Sequence, residues 1–189
     1  MTNVYELPKD LPIPQDDGAA EHLKGKRLPN ASLTATNGSV IDMGSILGTV
    51  VIYCHPMTGQ PNVPLPDGWD QIPGARGCTP QSCSFRDHYQ EIQALGADVI
   101  GLSVQGTDYQ QEMVKRLHLP FPVVSDADYR FQKALNLPTF QVAGMTLLKR
   151  ITLIARNGVI EATHYPVFPS DSDPDWVINC LNARYGPTS

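Results

Sequence analysis

The stretch TVVIYC, residues 49–54, is a continuous run dominated by β-branched and aromatic side chains. Such a run predicts a strand that is buried on both faces, because it shows no alternation of polar and apolar positions. A second run of this kind, DVIGLSV, follows at residues 98–104. Between the two runs, apolar and aromatic residues recur at helical spacing at Phe85, Tyr89, Ile92 and Leu95. A strand, a helix and a second buried strand in succession predict a parallel pair of strands at the centre of a sheet.

Hairpin signals lie on both sides of this central unit. Asn37-Gly38 separates short strand patterns at 31–36 and 39–42, and Asn157-Gly158 separates longer ones at 149–156 and 159–165. Asn-Gly is the strongest short-range signal for a hairpin turn. The pattern further predicts helices at 107–117, 129–135 and 173–185, a strand at 121–125 and a mixed loop at 136–148. The sum is an α/β fold of the thioredoxin-like type, with a mixed central sheet, helices on both faces and an N-terminal β-hairpin.

The chain of 189 residues has a length that suits one domain with a proper core. Residues 1–27 carry prolines and charges without a sustained period, so they are interpreted as an N-terminal extension to a domain at 28–189. Residues 55–76 also lack periodicity and contain several prolines, which is typical of a functional or disordered loop. Trp69 is expected to pack this loop onto the domain.

Composition excludes several classes of partner. The net charge of −5 and the pI near 5.4 argue against nucleic acid or an anionic membrane as the main partner. No stretch approaches the roughly 20 apolar residues of a membrane span, and the N-terminus lacks a signal-peptide pattern. Four cysteines in a chain of this length are too few for a secreted disulfide framework, so a reducing cytoplasm is the expected location.

The stretch GCTPQSCSFRD, residues 77–87, carries the most specific chemical signal. Thr79 suits the N-cap of a helix and Pro80 suits its first position, which puts Cys78 at or just before the helix N-terminus. Unpaired backbone N–H groups and the positive end of the helix dipole at that position lower the pKa of a thiol. Cys78 is therefore predicted to be a nucleophile, because the thiolate is the reactive form.

The second cysteine of this stretch, Cys83, lies five residues further on. Five residues along an α-helix rise about 7.5 Å, whereas the Cα atoms of a disulfide lie roughly 4.4 to 6.8 Å apart. A bond between Cys78 and Cys83 would thus require the first turns to unwind, as a reversible disulfide can. A zinc site with Cys54 and His55 is disfavoured, since zinc cysteines are usually separated by two to four residues.

These segments resemble the peroxiredoxins, specifically the bacterioferritin-comigratory or peroxiredoxin Q subfamily. The resemblance runs from about Leu28 to the C-terminus and rests on GCTPQSCSFRD, LGADVIGLSVQ, FPVVSDAD and RITLIARNGVI, in the family's order. It implies that Cys78 attacks a hydroperoxide, that Cys83 resolves the product, and that Arg150 lies above the thiolate. It further implies thioredoxin or a similar dithiol as the reductant and no cofactor, and it leaves monomer and homodimer open.

One departure from the family pattern concerns the residues before Cys78. The family has proline, three residues, threonine or serine, two residues and then the cysteine, but Gln71 and Ala75 stand at those positions here. Pro56 and Thr58 follow the TVVIYC strand, where the family's proline and threonine would normally lie. An insertion of roughly 17 residues after Thr58 would reconcile this sequence with the family pattern and keep Pro56 and Thr58 at the site. Alternatively, Thr79 supplies the hydroxyl, or no hydroxyl does.

Two further interpretations accompany this resemblance. Cys54 and Cys180 are expected to be structural, with Cys180 as the spare candidate for resolution, and the acidic run Asp171–Asp175 is interpreted as helix capping. The alternative function is a non-enzymatic redox-sensing or partner-binding module in which the disulfide acts as the switch.

Overall fold

The central strand of the fold is β3 (Thr49–Cys54), as its unbroken run of β-branched and aromatic residues predicts. The computed structural model describes residues 3–185 of the chain. On one side β3 pairs in parallel with β4 (Ala97–Ser103), and on the other it pairs antiparallel with β8 (Ile151–Arg156). Cys54 at its end lies opposite Leu102 and Ile151. The C-terminal end of β3 therefore lies between two neighbouring strands. From this point the chain continues into the loop that leads to Cys78.

A seven-stranded mixed sheet surrounds β3. Its remaining strands are β1 (Ser32–Ala35), β2 (Val40–Asp42), β5 (Val123–Ser125) and β9 (Val159–His164). The order across the sheet is β2-β1-β5-β4-β3-β8-β9, in which β3, β4 and β5 are parallel and the flanking pairs are antiparallel. Both predicted hairpins are confirmed, and the second turns at Asn157 and Gly158 with positive φ angles of 47° and 78°.

Helices cover both faces of the sheet. They are α1 (Cys78–Ala94), α2 (Thr107–Leu117), α3 (Arg130–Leu135) and α4 (Asp173–Tyr185). Val51 and Tyr53 of β3 face a core formed with α1, α2 and α4, whereas Val50 and Ile52 face a second core that includes α3. The thioredoxin-like arrangement predicted from the sequence is confirmed. No helix within residues 3–185 is both long and apolar enough to cross a membrane.

The predicted mixed loop at 136–148 is wrong for most of its length. It contains a separate two-stranded sheet of β6 (Thr139–Val142) and β7 (Met145–Leu148). The turn is made by Ala143 and Gly144, both at positive φ. Residue 143 is alanine, which rarely adopts a positive φ, where asparagine or aspartate would signal a hairpin turn. The sequence therefore contains no Asn-Gly or Asp-Gly pair to predict this hairpin. This hairpin packs against Trp69, which is 3% exposed, so the predicted packing of the long loop is confirmed.

The last part of the N-terminal extension is attached to the edge of the sheet. Leu23 is fully buried in the core beside α3, and the backbone N–H of Gly25 donates to the Ile160 carbonyl at 2.8 Å. The Ile160 N–H in turn donates to the Lys26 carbonyl at 2.9 Å. These bonds cover the free edge of β9, while the division at residue 28 stays a prediction.

Candidate active site at the start of the first long helix

Cys78 is the first residue of α1, as the sequence predicts, but the capping residue differs from the prediction. The N-cap is Gly77, which has a positive φ of 109°, and not Thr79. Thr79 instead lies inside the first turn, where its buried hydroxyl has no hydrogen-bond partner in the described part of the chain. Gly77 is favoured because a side chain there would collide with Ser170 and would lie 2.8 Å from the Leu7 side chain.

Replacing Gly77 with alanine is expected to lower the free energy of unfolding by about 2 to 3 kcal/mol, because strained φ and steric overlap add. Denaturant titration measures this loss, and the first turn of α1, which carries Cys78, is expected to shift with it. Gly96→Ala is the matched control, since Gly96 also has a positive φ, of 81°, but nothing lies within 4 Å of an added Cβ. An equal loss in both variants would contradict the proposed overlap at Gly77.

The structure brings Arg150 to Cys78 across 72 residues of sequence. Arg150 lies directly before β8, and its Nη2 is 3.3 Å from Sγ of Cys78. The same nitrogen donates to the carbonyls of Ala75 at 3.0 Å and Arg76 at 3.2 Å. Both Cys78 and Arg150 are 3% exposed. A guanidinium this close to a buried sulfur stabilises negative charge on it, because little water is present to screen the pair.

A chain of buried polar contacts holds Arg150 in place. Its Nη1 donates to Oε1 of Gln81, whose Nε2 donates to Oδ2 of Asp173 at 2.7 Å. Asp173 is fully buried, accepts a bond from Thr152 at 2.6 Å, and pairs with His164 at 2.7 Å. Because Nε2 of Gln81 donates to Asp173, the amide oxygen of Gln81 is turned toward Arg150 and accepts from it.

The role of Asp173 corrects the interpretation of residues 171–175. The prediction treated this acidic run as helix capping, and Asp173 does begin α4. Its carboxylate, however, is directed into the protein toward Gln81, which lies 92 residues away in the sequence. Nothing local in the sequence distinguishes a capping aspartate from one that faces a distant amide, so the prediction missed Gln81 and Asp173 as positioning residues.

The predicted hydroxyl residue, Thr58, lies in the loop that follows β3, after the buried Pro56. Met57 and Gly59, on either side of Thr58, line the same small cavity as Cys78, together with Thr79. The Thr58 hydroxyl itself is buried and donates to Sδ of Met113 at 3.0 Å. The structure thus brings the Thr58 backbone to the site with its hydroxyl bound elsewhere. Whether Thr58 or Thr79 serves the reaction stays a prediction.

The other three cysteines lie in different surroundings. Cys83 is half-buried in the second turn of α1, and burial raises the pKa of its thiol, an effect that Arg86 partly opposes. Burial also raises the pKa of the Cys54 thiol, which lies at the end of β3. Cys180 is half-buried on α4, which packs against α1. All four are free thiols, so the structure corresponds to the reduced protein.

His55 is an unexpected neighbour of the site. It is fully buried, it stacks on Tyr53, and neither ring nitrogen has a hydrogen-bond partner among residues 3–185. Burial, and secondarily the charge of Arg150, lowers the pKa of His55 to about 3, so the imidazole is neutral at pH 7. Within the described residues, no three His, Cys, Asp or Glu side chains are grouped so that they could hold a metal ion.

Comparisons with known proteins agree with this fold. Residues 23–178 match the Redoxin family model. Chloroplastic peroxiredoxin Q of Oryza sativa subsp. japonica is 30% identical over 139 residues, which cover 73% of this chain and 57% of the rice protein. The match therefore spans less than two thirds of the rice protein's length.

Solved structures give the same picture of the fold. Peroxidoxin BcpB from Mycobacterium tuberculosis superposes with a TM-score of 0.69 at 21% identity, covering 86% of this chain and 99% of that one. The bacterioferritin comigratory protein of Xanthomonas campestris, solved in trapped intermediate and ligand complexes that bear on its alkyl peroxide reduction activity, gives 0.63 at 18% identity over 92% and 98% of the two chains. The chain belongs to the Redoxin family, in which its relatives are peroxiredoxins of the Q and bacterioferritin-comigratory type.

Proposed function

We propose that this chain is a thiol-dependent peroxidase that reduces hydrogen peroxide and organic hydroperoxides. The observation that carries the proposal is the 3.3 Å contact between the Arg150 guanidinium and Sγ of Cys78, both buried at the start of α1. The alkyl peroxide reduction activity of the Xanthomonas campestris relative supports the same reaction here.

In the first step, the Cys78 thiolate attacks the terminal oxygen of the hydroperoxide and the O–O bond breaks. Sulfur gains that oxygen as a sulfenic acid, and the other oxygen leaves with a proton as water or an alcohol. An ordinary thiol is already a few per cent ionised at pH 7, so complete ionisation raises the concentration of the reactive thiolate only about 30-fold. Most of an enzymatic acceleration, which is typically 10⁶ or more, must come from donors aimed at the breaking O–O bond.

Arg150 and the backbone N–H of Cys78 are the donors proposed for that bond. Arginine suits the role because it stays charged and its N–H groups have fixed directions. Pro56 is proposed to shape the site from the loop, and Thr58 to add a hydroxyl after turning away from Met113. Thr79 is the alternative, since its hydroxyl lies beside Cys78 and has no hydrogen-bond partner among residues 3–185.

In the second step, the Cys83 thiol condenses with the Cys78 sulfenic acid and releases water, leaving a disulfide. An external dithiol protein such as thioredoxin then reduces that disulfide by exchange. Both cysteines lie in one continuous helix, so the first turns of α1 must unwind before the sulfurs can meet. Unwinding breaks contacts such as the bond between Tyr53 and Ser82 at 3.0 Å.

Replacement of Cys83 by serine tests this second step. The variant is expected to reduce about one equivalent of peroxide and then stall, with its thioredoxin-dependent turnover lowered more than tenfold. Dimedone labelling followed by a peptide map should show a sulfenic acid that persists on Cys78. Normal turnover of this variant would exclude Cys83 as the resolving residue and would point to Cys180.

The alternative, a redox-sensing or partner-binding module, makes a different prediction for the wild-type protein. A sensor oxidises Cys78 once and does not consume peroxide continuously in the presence of thioredoxin and its reductase. Continuous consumption by the wild type therefore separates the two functions. The cytoplasmic location stays a prediction, since the rice relative is chloroplastic, and monomer and homodimer both remain compatible with the proposal.

A further inference from the structure

The cavity at Cys78 is too small for a hydroperoxide. Its volume is about 10 Å³, which is close to the least that holds a single water molecule. Hydrogen peroxide has two oxygens, and an organic hydroperoxide adds a carbon skeleton. The residues above Cys78 must therefore move before any substrate reaches the sulfur.

The residues above Cys78 come from two segments outside the sheet. Val4 belongs to the N-terminal extension, and Leu65 and Trp69 belong to the loop before Cys78; all three line the cavity. Val4 and Leu65 lie side by side over Gly59, because a Cβ on that glycine would be 3.2 Å from Val4 Cγ1 and 3.0 Å from Leu65 Cδ2. Residues 3–7 and 65–70 are called the cover from here on.

Two arginines tie both segments of the cover to the domain. Arg76 donates to Asp70 of the loop at 3.1 Å and to the Asn3 carbonyl of the extension at 2.6 Å. Arg116 lies 5.6 Å from the centre of the Tyr5 ring and donates to its hydroxyl at 3.3 Å. Arg76 thus joins the extension to a residue 73 positions away in the sequence, and Arg116 joins it to α2 across 111 positions.

The two halves of the cover differ in how firmly they are held. Trp69 is buried against the β6–β7 hairpin, so the loop half forms a fixed wall. The extension half is held by its polar contacts with Arg76 and Arg116, and Tyr5 is 50% exposed. Exposed segments with few buried apolar contacts open at the lowest free-energy cost, so the extension is the half that moves.

We propose that Val4 and Tyr5 determine which hydroperoxides this chain reduces, by opening enough for hydrogen peroxide and small alkyl hydroperoxides and obstructing bulky ones. This inference rests on the proposed peroxidase function. A small substrate needs a slight displacement of Val4, whereas an aromatic hydroperoxide needs the extension to leave. The observed rate for a bulky substrate is therefore the rate of the open form multiplied by the fraction of molecules in which the extension is displaced.

The test compares the double variant V4A/Y5A with the wild type in two assays. The first measures the rate at which iodoacetamide alkylates Cys78, with Cys180 as an internal reference, and needs no peroxidase activity. The second measures single-turnover oxidation of Cys78 by hydrogen peroxide and by cumene hydroperoxide. V4A/Y5A is expected to raise both the alkylation rate and the cumene-to-hydrogen-peroxide ratio roughly tenfold.

Ile13→Ala is the matched control, because Ile13 belongs to the same extension but is 69% exposed and does not line the cavity. It should change neither measurement. Unchanged alkylation in V4A/Y5A, or faster alkylation with an unchanged ratio of the two peroxides, would overturn the proposal. If V4A/Y5A were alkylated faster but neither it nor the wild type reduced peroxide, the proposed peroxidase function would be wrong. The proposed selectivity for small hydroperoxides would then be wrong as well.

Discussion

Replacement of Cys78 by serine is expected to lower peroxide turnover at least a thousandfold, because the nucleophile is lost and no other thiol can replace it. Cys54 is fully buried and Cys83 is half-buried, and burial raises the pKa of both thiols. Cys180 lies on α4, whereas the Arg150 guanidinium contacts Sγ of Cys78. The measurement is NADPH oxidation coupled through thioredoxin reductase and thioredoxin.

Cys180→Ser provides the matched control for this experiment, since Cys180 is also a free thiol and is half-buried. It should keep the wild-type rate, and both variants should keep the wild-type unfolding transition. Residual turnover of even a tenth in Cys78→Ser would mean that the chemistry occurs elsewhere. If Cys180→Ser abolished turnover instead, Cys180 and not Cys83 would be the residue that resolves the oxidised Cys78.

The centre of the fold could be predicted because its signals are local. The bounds of β3 and α4 agree with the pattern, since a β-branched run and an Asp-Pro helix start leave few alternatives. The β6–β7 hairpin was missed because Ala143 takes the turn position that glycine or asparagine normally occupies. The N-cap prediction for Thr79 is wrong because glycine is only modestly enriched at N-caps, where serine, threonine, asparagine and aspartate are the usual residues.

The candidate site could be predicted only in part, for a related reason. The local sequence around Cys78 predicts its position at a helix start, whereas only the family resemblance predicts that Arg150 belongs to the site. Asp173 contributes through a contact that joins distant parts of the chain, with nothing nearby in the sequence to indicate it. The same holds for the clamp between Arg76 and Asn3, which are 73 residues apart. Long-range polar contacts depend on the assembled fold, so periodicity and spacing do not predict them.

Arg150→Lys should lower the rate constant for oxidation of Cys78 by hydrogen peroxide about 10²- to 10³-fold, which is the usual effect of removing one donor aimed at developing charge. Lysine keeps the positive charge but replaces a rigid fork by one ammonium on a flexible chain. In the structure the fork contacts Sγ of Cys78, two backbone carbonyls and Oε1 of Gln81 at the same time. One ammonium cannot satisfy all of these and still point at the breaking O–O bond.

Stopped-flow fluorescence of Trp69, which lines the cavity at Cys78, offers a way to measure that rate constant in single turnover. Lys149→Met is the matched control, since Lys149 is the adjacent cation but pairs with Asp17 at 2.7 Å near the surface. It should leave the rate constant unchanged. Arg150→Lys retains the positive charge, so a large fall in the rate constant would assign the effect to the geometry of the guanidinium. A fall of less than threefold would show that charge alone suffices and that the guanidinium fork has no part in cleaving the O–O bond.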